Sequence, residues 1–256
     1  MSKIIAVTNQ KGGVGKTTTA VNVAYFLARR KYKVLLVDFD PQGNATSSVG
    51  LDKESLKLTV VDALDESTDL AEIIQKTRFY ELDIVPSTPA LADAEPGLAK
   101  VDIGQRFVRL RHALADVAGD YDFVIIDSPP SLSLLTINAL VAAKYVILPV
   151  QAEFFAMEGL TQLLNTIKLI RQNGLNPTLD ILGVLPTMVG KNTLAKQVVE
   201  QIAKYFPGKI FNASVPRNVR VAEAPSFGLP VGAYDKRSKG GRAYDAVTKE
   251  IIERTR

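Results

Sequence analysis

The stretch Ile4-Ile5-Ala6-Val7-Thr8-Asn9-Gln10-Lys11-Gly12-Gly13-Val14-Gly15-Lys16-Thr17-Thr18 decides the fold. Ile4 to Val7 is a short apolar run suited to a buried parallel strand, and Thr18 to Arg30 has helical periodicity. A glycine-rich loop between a strand and a helix is built to hold phosphate. Gly12, Gly13 and Gly15 let the backbone curl around an anion, so the N–H groups from Lys11 through Val14 to Thr18 face inward beside the positive helix end. Lys16 is placed to reach β- and γ-phosphates and the Thr17 hydroxyl to ligate Mg²⁺. Where the general phosphate-loop pattern expects its first glycine stands Gln10, followed by a second lysine, Lys11.

Other apolar runs recur along the 256 residues: Val34 to Val37, Leu82 to Val85, Phe123 to Ile126, Tyr145 to Val150 and Ile181 to Leu185. Between them fall amphipathic stretches at Asp69–Lys76, Gln105–Val117, Leu132–Ala142, Gly159–Gln172, Thr193–Tyr205 and Arg242–Arg254. Continuous apolar strands alternating with helices predict an α/β, doubly wound, mainly parallel sheet with helices on both faces. Ligands then sit beyond the carboxyl ends of the strands. At 46% apolar content the chain is expected to form one domain spanning residues 1–256. Over residues 86–104, Pro86, Pro89, Pro96, Gly97 and Gly104 are expected to interrupt any long helix.

Composition removes several functions. The absence of cysteine rules out disulfides, thiolate metal sites and iron–sulfur clusters. The longest apolar runs fall short of the roughly 18 residues a membrane span needs, and Met1-Ser2-Lys3 leads straight into the first strand, so a cytoplasmic location is expected. His112, the only histidine, has no ligand cluster around it and reads as a surface or packing residue. Charge is unevenly spread within the net +4: from Thr187 onward 13 Lys and Arg stand against 6 Asp and Glu, a balance of +7, leaving 18 against 21, or −3, for residues 1–186. A basic C-terminal third is either a solvated surface or a polyanion site.

Two strand ends carry acids. Val37-Asp38-Phe39-Asp40-Pro41-Gln42-Gly43-Asn44 sends two carboxylates out of the second buried run, and because Pro41 ends the strand, Asp38 and Asp40 are expected to play different parts. Taken alone, the segment could also be an ordinary Asp-Pro turn with Asp40 as its cap. Phe123 to Ile126 closes on Asp127, a position from which an acid beside a phosphate loop can hold Mg²⁺, although an acid after a strand often only caps the next helix.

Together the motifs resemble the ParA/Soj group of P-loop NTPases. The K-G-G-V-G-K-T-T form from Lys11 is similar to the deviant Walker A motif of the ParA/MinD ATPases, D-x-D-P-Q-G-N from Asp38 resembles the A′ motif, and Val215-Pro216-Arg217-Asn218-Val219-Arg220 through Gly228 resembles the adenine-lining stretch of chromosome-partitioning ATPases. The resemblance spans nearly the whole chain, including Pro149 to Glu153 and Glu158 to Leu160. It implies ATP and Mg²⁺ as cofactors, Lys11 reaching the partner's nucleotide in an ATP-dependent homodimer, Asp40 orienting the attacking water, Thr17 and Asp127 serving the metal, and Pro216 and Asn218 contacting the base. It further implies slow hydrolysis stimulated by a ParB-type centromere-binding protein, and non-specific double-stranded DNA as the track on the nucleoid. A helix-turn-helix extension and a MinD-like amphipathic tail are both expected to be absent, so no membrane anchor is expected. A same-fold ATPase positioning a non-chromosomal cargo is the alternative.

In relatives an arginine after the sixth strand contacts DNA; here Thr187-Met188-Val189-Gly190-Lys191-Asn192 lacks it, and Lys191 is left as a point charge. The other candidate DNA contacts are Lys196, Arg217, Arg220, Lys236, Arg237, Lys239 and Arg242.

Overall fold

The computed structural model describes residues 2–153, 156–190 and 193–256, with the side chains of all of these except 156–158 and 194. Its strands are β1 (Lys3–Val7), β2 (Val34–Asp38), β3 (Gln75–Lys76), β4 (Leu82–Val85), β5 (Phe123–Asp127), β6 (Tyr145–Gln151) and β7 (Asp180–Thr187). They form one sheet in the order β3-β4-β2-β5-β1-β6-β7, parallel throughout except for the β3 edge.

Strand side chains alternate between two apolar layers, as the two-residue pleat requires. Leu35, Val37, Val124 and Ile126 face one layer; Val34, Leu36, Phe123 and Ile125 face the other. The first layer is covered by α3 (Val60–Leu64), α4 (Leu70–Ile73), α5 (Ala90–Lys100), α6 (Arg109–Ala115), α7 (Leu134–Ala142), α8 (Ala156–Gln172) and α9 (Thr193–Tyr205). The second is covered by α1 (Lys16–Ala28), α2 (Asn44–Ser48), α10 (Val219–Glu223), α11 (Val231–Tyr234) and α12 (Lys239–Arg254). With both faces covered, the runs read from sequence keep their places, Leu82–Val85 unchanged and the others longer by a residue or two at their ends.

α1 is apolar nearly all round because it lies between the sheet and α11–α12. Asn22 Oδ1 accepts from the Val231 backbone N–H at 2.8 Å, and the Thr19 and Tyr244 hydroxyls meet at 3.3 Å. This fixes the helix that begins at the phosphate loop.

Three sequence expectations are corrected. The helix expected over Asp69–Lys76 stops at Ile73, and Gln75–Lys76 instead pairs antiparallel with β4. Asp83 on β4 is buried and needs partners there: Lys76 Nζ lies 2.7 Å from its carboxylate and the Tyr121 hydroxyl 2.9 Å. The expected Gln105–Val117 helix is shortened to Arg109–Ala115. Conversely, α5 runs through Pro96-Gly97 where no long helix was expected. Leu91 and Leu98, two turns apart, are both buried, while Pro96 and the Ala92 carbonyl it frees sit on the exposed side. Burying two leucines contributes about 1.5–3 kcal/mol each and offsets the proline's cost of about 3 kcal/mol. The same segment places Glu95 Oε1 2.8 Å from the Leu134 N–H, at the start of α7.

Candidate nucleotide site

The site forms where β1, β2 and β5 end side by side. Val7 and Asp38 each stand in register with Asp127. The phosphate loop leaves β1 and is held from both flanks: the Asn9 amide donates to the Pro149 carbonyl at 2.7 Å and accepts from the Lys11 N–H at 3.0 Å, while the Thr187 hydroxyl donates to the Val14 carbonyl at 2.8 Å. Gly13 and Gly15 adopt φ of 73° and 88°, which an L side chain strains to adopt, and a Cβ on Gly12 or Gly13 would have nothing within 4 Å. The loop therefore encloses open space on its glycine side.

Lys16 opens α1 and is buried; its ammonium donates to the Lys11 carbonyl at 3.2 Å. Burial lowers its pKa, and the charges of Asp127 and Asp40 pull it back up. Asp127 is fully buried, and neither of its carboxylate oxygens makes a hydrogen bond of full geometry, the Thr17 hydroxyl standing close enough only for a weak one. Burial first, and then the Asp38 charge, raise its pKa well above the ordinary carboxylate range, with Thr17 and Lys16 opposing. A buried carboxylate with free lone pairs beside a threonine hydroxyl supplies the oxygen ligands of a hard divalent cation such as Mg²⁺.

The two acids of the β2 end differ in their hydrogen-bond surroundings. Asp38 Oδ2 accepts from both the N–H and the hydroxyl of Thr46 at 2.7 Å, and its Oδ1 from the Asp40 N–H at 3.3 Å. The Ser87 N–H donates to the Thr46 hydroxyl at 3.0 Å, and the Ser87 hydroxyl to the Asp40 carbonyl at 2.9 Å. Asp38 is thus a brace inside the protein, its pKa raised to about 6 by burial against the opposing Thr46 hydrogen bonds. The Asp40 carboxylate accepts from the Gln42 N–H at 2.9 Å, which makes the Asp-Pro turn, and its charge acts on Lys16. The brace residues Thr46 and Ser87, and the loop clamps Asn9 and Thr187, were not singled out in the sequence. They are single hydroxyls or amides at distances along the chain that no local pattern marks.

Lys11 lies at the mouth of the site, paired with Glu153 at 3.2 Å, and Gln151 donates to the other Glu153 oxygen at 2.5 Å. Pro216 and Asn218 lead into α10, and the Asn218 Oδ1 is buried without a partner. Gly228 (φ 63°) ends the turn after α10 and abuts Gly50 beyond α2, where a Cβ on Gly228 would lie 3.0 Å from the Gly50 Cα. The turn that follows α10 therefore packs against the C-terminal end of α2.

A family model described as an AAA domain matches residues 2–181. The chain is 51% identical to the sporulation initiation inhibitor protein Soj of Bacillus subtilis, covering 98% of each. The chain belongs to the Soj/ParA family of chromosome-partitioning ATPases. The chromosome partitioning protein ParA of Myxococcus xanthus is 48% identical to this Soj/ParA chain, over 99% of it and 89% of the relative. Among solved structures, cobyrinic acid a,c-diamide synthase from Mycobacterium smegmatis with bound ADP and magnesium superposes with a TM-score of 0.86 at 35% identity, over 99% and 95% of the two chains.

The basic candidates do not form one set. Lys191 lies outside the described residues. Lys196 is exposed on α9, and Arg217, Lys236, Arg237, Lys239 and Arg242 are exposed around the second layer. Arg220 is engaged: it pairs with Glu223 at 3.0 Å and with Asp235 at 3.8 Å. His112 is exposed on α6, and no cluster of metal-ligating side chains occurs among the described residues. No helix among them is long and apolar enough to cross a membrane.

Proposed function

We propose that the chain is a Mg·ATP-driven dimerisation switch that binds duplex DNA without sequence preference and segregates a chromosome or plasmid together with a ParB-type protein. The observation that carries this reading is Asp127: a buried carboxylate with no hydrogen bond of full geometry on either oxygen, acted on by Lys16 and Thr17 at the strand end beside the glycine loop. Burying such a group without partners costs several kcal/mol, a burden that a bound cation relieves. The ADP and magnesium in the cobyrinic acid a,c-diamide synthase structure support the same pairing of ligands here.

In this reading Lys16 and the N–H groups of residues 11–18 hold the phosphates, and Thr17 and Asp127 hold the metal. Bound Mg²⁺ supplies charge neutralisation on the phosphate oxygens. Asp40, braced from behind by Asp38, Thr46 and Ser87, orients the attacking water. Lys11 leaves Glu153 to complete a second protomer's site, and Pro216 and Asn218 meet the base. Phosphoryl transfer needs chiefly positioning and charge compensation, so no covalent nucleophile is invoked. The switch works in the cytoplasm, on the nucleoid when ATP is bound.

Asp40→Ala tests the division of labour. It should bind ATP as the wild type does, hydrolyse it on the order of a hundredfold more slowly, and accumulate as a dimer in light scattering after size exclusion. Wild-type turnover in this variant would remove Asp40 from the chemistry; loss of ATP binding would make it a ligand instead.

A further inference from the structure

The C-terminal end of α1 and the outer face of α12 enclose a groove of about 450 Å³. Arg29, Arg30, Lys236, Arg242 and Lys249 line it, with Asp245 as its only acid. Five cations against one carboxylate leave a local excess equal to the +4 of the whole chain. Asp245 pairs with Arg30 at 2.6 Å and with Lys249 at 3.6 Å. Arg29 reaches only the Tyr25 hydroxyl, at 3.5 Å, and neither Lys236 nor Arg242 has an ion pair among the described residues. Lys76 and Arg254, by contrast, are matched by Asp83 and Glu250, and even the shared Asp180 answers only two cations, Arg171 and Lys209. Holding like charges together around one acid is unfavourable without an anion to share them.

The groove sits on a rigid support. Gly232 lets α11 pack directly on α1, since a Cβ there would lie 2.5 Å from the Phe26 ring, and the Asn22 and Thr19 contacts tie α1 to α11 and α12. α1 therefore joins the groove at one end to the phosphate loop at the other, about 20 Å away.

We propose that this groove is a phosphodiester site for duplex DNA, in which Lys249 extends the contact surface of Lys236 and Arg242 along α12 and Arg29 extends it to the end of the helix that carries the phosphate loop. The inference rests on the reading of DNA as the track. A polyanion fits better than a small anion because the cations come from the ends of two helices and an intervening turn. The spread suits successive phosphates more than one.

The test is fluorescence anisotropy on unrelated duplexes with a slowly hydrolysed ATP analogue, across a salt series, using the full chain and R29Q/K249Q. Each phosphate contact contributes about 0.9 to the slope of log affinity on log salt, or about 3.5-fold over a fourfold salt step. Losing two contacts should reduce the salt-induced weakening between 50 and 200 mM by about 12-fold for each protomer that touches the duplex, alike for every sequence. Basal ATP turnover should be unchanged. Asp245→Asn, which releases Arg30 and Lys249, should steepen the slope. An unchanged slope in R29Q/K249Q, while the wild type still binds, overturns the groove and leaves the DNA track standing. No duplex binding by the wild type at low salt overturns the track itself. Loss of binding to anionic phosphatidylglycerol vesicles by R29Q/K249Q with duplex affinity intact would make the groove a membrane site and equally refute the proposal.

Discussion

Removing the charge of Glu153 should strengthen ATP-dependent dimerisation. In the isolated chain Lys11 is held by Glu153 at 3.2 Å, and the pair is half in solvent, the side chains being 40% and 50% exposed. Exposed pairs of this kind are worth about 0.2–1 kcal/mol. If Lys11 must leave Glu153 to serve a partner's nucleotide, closing the dimer breaks two such pairs, one in each protomer, a cost of about 0.4–2 kcal/mol. Glu153→Gln keeps an oxygen for the Gln151 amide, now at 2.5 Å, and removes only the attraction for Lys11. The dimer dissociation constant should therefore tighten by about 2- to 30-fold. The measurement is sedimentation equilibrium with ATP in the Asp40→Ala background, where hydrolysis does not deplete the dimer. High salt should narrow the difference between Glu153→Gln and its parent, since the pair is screened. An unchanged or weaker dimer would refute the view that Glu153 competes for Lys11, and a gain that survives high salt would show that some other effect produced it.

Lys16→Ala should abolish measurable Mg·ATP binding in isothermal titration, because it removes the buried ammonium that faces the acids at the loop; retained binding would remove Lys16 from the phosphate site. Arg254→Ala should lower the urea-unfolding free energy by about 3 kcal/mol, since this guanidinium donates to the carbonyls of Leu182 and Ile210 at 2.8 and 2.5 Å and lies 4.4 Å from the Phe211 ring; a loss under about 0.5 kcal/mol would mean that the clasp between α12 and β7 is not needed. At Asp180, burial opposes ionisation but Lys209 at 2.8 Å and Arg171 prevail, so its pKa is lowered. Its stabilisation is thus present above the ordinary carboxylate pKa and disappears as pH falls through the lowered value, and Asp180→Asn should flatten that acid limb by under about 1 kcal/mol.

The glycine loop between β1 and α1 was legible in sequence because its geometry is local: the left-handed glycines and the first turn of α1 all lie within residues 8–18. The order of strands and helices was legible for a similar reason, since a strand buried on both faces must be apolar throughout, as Val34 to Val37 is. Sequence failed where a distant partner outweighed local preference. Lys76 left a helix to answer buried Asp83, and Pro96 stayed in a helix because Leu91 and Leu98 are held by the core.

Asp38 and Asp40 could be said to differ from their place around Pro41, but which one braces and which one faces the site was decided by Thr46 and Ser87, brought from other elements. The basic residues divided in the same way. Composition located an excess of positive charge beyond Thr187, whereas only the packing of α1 against α12 joined Arg29 and Arg30 to Lys236, Arg242 and Lys249, and only proximity to Glu223 and Asp235 occupied Arg220. Local backbone chemistry and the pattern of burial are written along the chain; the pairing of charges depends on three-dimensional distance, which is set after the layers have packed.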